Sequence, residues 1–139
     1  MLRIWTVAFV VTLGLLACGG EDQHASCQDH EHEEEGTPTG AMCGGSTLTY
    51  ENFGRQFMET YCTGCHSSAV EGEARNCAPD DHNFDTLDGI LFVRDHIDEH
   101  AGAGPDAVND AMPPSGARPT EAERRDLSTW LACEEERMP

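Results

Sequence analysis

The chain has 139 residues with 26 Asp and Glu, eight Arg and no Lys, which gives a formal net charge of -18. This negative electrostatic field excludes a protein that binds nucleic acid through its phosphates. It equally excludes a protein that binds anionic lipid through a polybasic segment. Only 38% of the residues are hydrophobic and 6% are aromatic, so we expect a thin apolar core. A domain with such a core usually needs a covalent cross-link or an embedded ligand to stabilise it.

Residues 1–17 are typical of an export signal. A short positive start precedes the apolar run 4–17, which is too short to span a bilayer comfortably. The run ends in Leu15–Gly19, a stretch that resembles a bacterial lipobox and predicts cleavage before Cys18 with diacylglycerol on its sulfur; a plain signal peptide or an uncleaved anchor are the alternatives. Several acyl chains anchor a protein stably. The domain would then face the periplasm, and Gly19, by analogy with lipoprotein sorting, mildly favours the outer membrane.

Residues 18–45 are predicted to form an acidic flexible tether. The stretch has no apolar periodicity and contains the acidic block 29–35, so it should repel itself and extend. His24, His30 and His32 lie among these carboxylates and are possible ligands of a divalent metal. Because their spacing matches no defined site, the spacer interpretation is favoured over the metal site.

The sequence Cys62-Thr63-Gly64-Cys65-His66 contains C-x-x-C-H, the attachment signature of a c-type haem. Two thiols add across the two haem vinyl groups, and the histidine that follows supplies its imidazole to the iron. A thioredoxin-like redox pair would need a βαβ context, and half a zinc site would need another C-x-x-C; the chain has neither. We therefore expect one covalent haem c on Cys62 and Cys65, with iron bound by His66.

A second iron ligand is predicted at Met112. Pro113 and Pro114 fix an extended backbone after it, so this methionine sits in a loop rather than on a helix face. The alternative is a thioether that fills a gap in the core. Met58 within a helix and Met138 at the terminus are poorer candidates. The rival ligands are His82, His96 and His100.

Apolar spacing predicts three main helices, at 49–62, 86–100 and 120–135. Thr86 is the expected N-cap of the second helix, and Thr120 with Glu123 forms a capping box at the start of the third. A short helical turn is predicted at 105–110. Because no strand pattern occurs, the predicted fold class is all-α.

With these features the chain resembles the class I cytochrome c family, and small bacterial lipoprotein cytochromes in particular, over residues 47–133. The matching features are Gly54 eight residues before Cys62, the attachment motif, Met112 before a proline, and a last helix with Leu127 and Trp130. The resemblance implies a small helical domain, residues 46–139, wrapped around one haem. It also implies that the first and last helices cross at Gly54, with an aromatic side chain of the last helix packed there.

The resemblance further implies that the carbonyl of Pro79 accepts a hydrogen bond from the His66 imidazole and orients it. Arg75 and Arg94 are the bases best placed to pair with haem propionates, although surface ion pairs explain each of them equally well. The absence of lysine and the presence of Cys77 depart from the family pattern.

The cysteine count is odd, and seven cysteines in so short a chain indicate an oxidising compartment. Setting aside the lipidation and attachment cysteines leaves Cys27, Cys43, Cys77 and Cys133. Because the terminal helices are expected to cross, Cys43–Cys133 is the favoured disulfide and Cys77–Cys133 the runner-up. Cys27 is then left to pair with Cys77 or to stay free.

The predicted function is single-electron transfer rather than catalysis, because His66 and Met112 together would leave no open position on the iron. The acidic surface predicts a redox partner with a basic docking face. Two alternatives remain open. In the first, the chain is a haem subunit of a larger respiratory or dehydrogenase complex. In the second, Met112 does not bind iron, and the chain is a haem sensor or peroxidase with His96 or His100 as its acid–base group.

Overall fold

The structure, a computed structural model, describes residues 36–138. The export signal, the lipidation site Cys18, Cys27 and the tether histidines lie outside the described residues. The helices in chain order are a π-helical turn Tyr50–Gly54, α1 Arg55–Tyr61, a 3₁₀ turn Gly72–Arg75, α2 Leu87–Phe92, α3 Arg94–Ala101 and α4 Glu121–Arg137. Residues 36–138 contain no strand, only an isolated bridge between Ala103 and Val108. The all-α prediction is confirmed.

The first helix begins at its predicted residue. The Thr49 hydroxyl accepts from the Asn52 N–H at 3.2 Å, and the Asn52 side chain accepts from the Thr49 N–H at 2.7 Å. This reciprocal pair satisfies two N–H groups that a helix start otherwise leaves without partners. The Thr49 carbonyl accepts from both Phe53 and Gly54, which widens the first turn into the π form before α1 continues.

The predicted helix 86–100 is two helices in the structure. Thr86 caps α2 as expected, since its hydroxyl accepts from the Gly89 N–H, but the helix ends at Val93 and α3 starts immediately after it. Ile90 and Ile97 are both buried, one on each helix. Their spacing of seven residues equally fits two turns of an unbroken helix, so the apolar pattern carries no sign of the break.

The helical turn predicted at 105–110 is wrong. The Gly104 N–H donates to the Ala107 carbonyl at 2.8 Å, and the Asp106 N–H donates to the Thr39 carbonyl at 3.0 Å. The loop is therefore held by contacts with a segment far away in sequence. Thr39 itself is fully buried and donates twice to Asp98. The folded domain thus includes residues that the sequence analysis placed at the end of the tether.

The core lies where α4 crosses the start of the first helix. Leu127, Trp130 and Leu131 of α4 are buried against Phe57 and Met58 of α1. A Cβ built on Gly54 would lie 2.3 Å from the nearest carbon of the Trp130 ring. Only glycine permits so close an approach, and the crossing that the resemblance implied is present in the structure.

A disulfide between Cys43 and Cys133 joins the segment before the first helix to α4. This is the favoured pairing of the sequence analysis, and it removes the runner-up, Cys77–Cys133. Cys77 is disulfide-bonded as well; the pairing of Cys27 lies outside the described residues.

Candidate functional site

The C-x-x-C-H motif forms one helical turn at the end of α1. The Cys62 carbonyl accepts from the Cys65 N–H at 3.1 Å and from the His66 N–H at 3.0 Å. Residues three and four apart on such a turn lie on the same face. The two thiols and the imidazole are therefore presented together.

Cys62 and Cys65 are free thiols, whereas Cys43, Cys77 and Cys133 are in disulfides. Burial raises the pKa of the Cys62 thiol to about 12, and the positive charge of Arg124 acts against that rise. A thiol that stays protonated oxidises slowly, because the thiolate is the reactive form. The turn therefore contains two free thiols, of which that of Cys62 favours the protonated form.

His66 is partly buried and fixed on two sides. Its ring stacks on Phe84, with centroids 4.5 Å apart and an angle of 8° between planes, and its Nδ1 lies 3.3 Å from the His82 carbonyl oxygen. Burial lowers the pKa of His66, so the neutral imidazole is favoured. A proton on Nδ1, donated to that carbonyl, leaves the lone pair on Nε2 for a metal.

The carbonyl that contacts the imidazole is not the expected one. Pro79 was expected to orient His66, but the His82 carbonyl occupies that position, and the Pro79 carbonyl accepts from Arg75 at 2.5 Å. The difference has a local cause, because the whole loop is folded around the guanidinium of Arg75.

Arg75 is 6% exposed, and all three of its guanidinium nitrogens are hydrogen-bonded within the loop. The acceptors are the carbonyls of Ser67, Val70, Ala78, Pro79 and His82 and the side chain of Asn83. All of these acceptors belong to the loop itself, whereas the propionate role suggested for Arg75 stays a prediction. In the structure, Arg75 holds the His82 carbonyl against His66. Arg94, the other base considered, pairs with Glu135 at 3.0 Å.

Met112 lies in a loop, as predicted, and is partly buried against the core, a contact that the alternative of a gap-filling thioether also implies. Its N–H donates to the His100 carbonyl at 2.9 Å, and its carbonyl accepts from Arg124 at 2.8 Å. Met58, by contrast, is fully buried in α1. The Met112 backbone is thus tied to the end of α3 and to the first turn of α4.

Arg124 was missed by the sequence analysis. It follows the helical spacing of Leu127 and Leu131, three and seven residues further on, so it occupies a core position of α4. An arginine on the apolar stripe of a helix is the signal that could have revealed it.

The rings of the three rival histidines form a chain next to His66. Ring centroids are 6.2 Å apart for His66 and His82, 5.0 Å for His82 and His96, and 4.0 Å for His96 and His100. Within residues 36–138, no group of three or more His, Cys, Asp or Glu side chains is arranged to hold a metal ion. The chain of rings is therefore not a self-contained metal site.

Comparison with protein-family models, curated proteins and solved structures gives no match. Within the described part of the chain, no helix combines the length and apolar character needed to cross a membrane. The assignment of function therefore depends on the residues of this chain alone.

Proposed function

We propose that this chain is a monohaem c-type cytochrome of the class I type that carries single electrons. Haem c is attached through Cys62 and Cys65, and His66 and Met112 bind its iron. The observation that carries the proposal is the helical turn that presents two free thiols and a neutral imidazole on one face. This donor set suits covalent haem, which when bound cycles between its ferric and ferrous forms.

The residues around the turn serve this role in distinct ways. The His82 carbonyl, 3.3 Å from Nδ1, favours the tautomer of His66 that carries its proton there and leaves the Nε2 lone pair for iron. A thioether from Met112 favours the ferrous form and raises the reduction potential. The buried apolar cluster disfavours the additional charge of the ferric form and acts in the same direction.

Iron held by both His66 and Met112 would have no ligand position left for a substrate, which favours a carrier over an enzyme. The lipid anchor at Cys18 would keep this carrier at a bacterial membrane, facing the periplasm. Its partners would dock through basic faces, and electrostatic attraction would accelerate association. Reduction rates should then fall steeply as ionic strength rises, and a rate indifferent to salt contradicts this docking mode.

The attachment is tested by expressing the chain in a host that matures c-type cytochromes. Cys62→Ser and Cys65→Ser should each leave one haem vinyl group unsaturated, which shifts the alkaline pyridine haemochrome band of the remaining single-thioether haem to longer wavelength. Cys43→Ser is the matched control and should leave that band unchanged. A colourless product of the unaltered chain refutes the proposal.

The second ligand is tested by optical spectroscopy of the ferric protein. The far-red band of a thioether bound to ferric haem should be present in the unaltered chain and absent in Met112→Ala. Met58→Leu, which changes a methionine in the core, is the control and should retain the band. A five-coordinate, high-spin spectrum of the unaltered chain would favour the sensor or peroxidase alternative, and stable co-purification with a dehydrogenase would favour the subunit alternative.

A further inference from the structure

A buried cation is bonded to the loop that carries Met112. Arg124, in the first turn of α4, is only 3% exposed. Its Nη1 donates to the carbonyls of Ala101 at 2.8 Å, Asn109 at 3.0 Å and Met112 at 2.8 Å. Its partners are backbone carbonyls rather than a carboxylate, so its main contribution is to hold the chain in place.

Other bonds hold this loop too, among them the contact of the Asp106 N–H with the Thr39 carbonyl described above. The Arg124 carbonyl accepts from the Ala103 N–H at 3.1 Å, and the Met112 N–H donates to the His100 carbonyl at 2.9 Å. No helix contains the segment from Gly102 to Thr120. Its carbonyls therefore have no helical donors, and buried carbonyls left unpaired are costly. One guanidinium supplies donors for two of them, the carbonyls of Asn109 and Met112, and for the carbonyl of Ala101 at the end of α3.

Arg124 also acts on the attachment turn. Its positive charge lowers the pKa of Cys62 relative to the effect of burial alone. Cys62 and Met112 both pack against the same apolar cluster. The arginine is thus bonded to the residue proposed as the second iron ligand, which shares this cluster with one attachment thiol.

We propose that Arg124 is a positioning residue, which holds the backbone of Met112 so that its thioether stays on the iron. This inference rests on the proposed function. Arginine suits the role because its rigid, planar guanidinium fixes the direction of the Nη1 N–H groups, whereas a lysine ammonium at the end of a flexible stem does not fix the direction of its donors. Replacing the guanidinium by an ammonium group should therefore loosen the loop without removing the charge.

The test is a titration of the ferric protein with imidazole, which competes with the thioether for the iron. Arg124→Lys should bind imidazole about tenfold more tightly or better, the factor expected when one hydrogen bond from a charged donor is lost. Its far-red thioether band should weaken as well. Arg124→Gln, which keeps an N–H donor without the charge, is a second variant in which the same rise is expected.

Arg125→Lys is the matched control. Arg125 is adjacent in sequence, but its side chain is 49% exposed and pairs with Glu121 at 2.5 Å, and its bond to the loop, with the Gly104 carbonyl at 3.3 Å, is exposed. This variant should bind imidazole as weakly as the unaltered chain. Haemochrome content and helical circular dichroism of all variants report whether the fold persists.

The outcomes separate this inference from the proposed function. If Arg124→Lys and Arg124→Gln keep the thioether band and bind imidazole no more tightly than Arg125→Lys does, the positioning role is refuted and the cytochrome proposal stands. If the unaltered chain lacks the thioether band or holds no haem, Met112 is not a ligand, and both are overturned together.

Discussion

Replacing Gly54 by alanine should destabilise the domain, because the structure leaves no space for a methyl group there. The added Cβ would lie 2.3, 2.5 and 2.6 Å from three carbons of the Trp130 ring. Carbon atoms in contact prefer about 3.5–4.0 Å, so the ring or the helix must shift by roughly 1 Å. Trp130 is fully buried, its N–H donates to Glu134 at 2.9 Å, and the Phe53 ring meets its edge at 6.0 Å.

The expected magnitude is the difference of two effects. Overpacking a rigid core costs about 1–3 kcal/mol, and three short contacts place this site at the upper end. Alanine stabilises a helix by about 1 kcal/mol relative to glycine, which offsets part of that loss. The free energy of unfolding should thus fall by about 2 kcal/mol, which for a domain of this size lowers the melting temperature by about 8–16 °C.

Thermal and urea unfolding of the haem-loaded chain measure the effect. The variants are Gly54→Ala, Trp130→Phe and the double variant. In the double variant the smaller ring makes room for the methyl group, so its loss of unfolding free energy should be less than the sum of the two single losses. Gly64→Ala is the control, because a Cβ at this exposed glycine meets nothing within 4 Å. Additive losses in the double variant, or a Gly54→Ala chain as stable as the unaltered one, would refute the close crossing.

Three further outcomes follow from single contacts. Thr120→Ala removes the acceptor of an N–H in the first turn of α4 and should lower the free energy of unfolding by about 1 kcal/mol in urea. Replacing both Cys43 and Cys133 by serine opens a loop with a sequence separation of 90 and should cost about 2–4 kcal/mol. A hydrogen bond from Ser67 holds the pKa of Asp85 below its usual value, so the unfolded chain binds more protons there. The contribution of Asp85 to the free energy of unfolding is complete above its unfolded pKa of about 4, and it is lost as the pH falls through its folded pKa. In Asp85→Asn, the urea midpoint should therefore decline less steeply below about pH 4 than in the unaltered chain.

The parts of the fold that the sequence predicts are those with local causes. Thr49, Thr86 and Thr120 each cap a helix, because a hydroxyl before an apolar run bonds N–H groups three residues away whatever the rest of the chain does. The loop at 105–110 has no such local determinant. Its backbone pairs with Thr39, more than sixty residues earlier, and no periodicity reports that contact.

In the candidate site, too, features with a local cause could be predicted from the sequence and features set by distant contacts could not. The turn of Cys62, Cys65 and His66 follows from the motif, since three side chains at this spacing share a face wherever the helix ends. The motif does not determine which carbonyl contacts the imidazole. The choice between the carbonyls of Pro79 and His82 depends on how the loop wraps around Arg75. In so acidic a chain, sequence alone gives no reason to bury an arginine rather than pair it with a carboxylate at the surface.

The two buried arginines explain how a chain with a thin apolar core can hold irregular loops in fixed positions. Buried carbonyls in loops need donors, and no helix or strand provides them. Arg75 satisfies five carbonyls beside His66, and Arg124 satisfies three around Met112. A lysine ammonium has three donors, fewer than the acceptors around Arg75, and its flexible stem would not fix their direction at either site. Guanidinium groups thus organise both loops that bear on the proposed iron ligands, which fits a chain whose only basic residues, apart from histidine, are arginines.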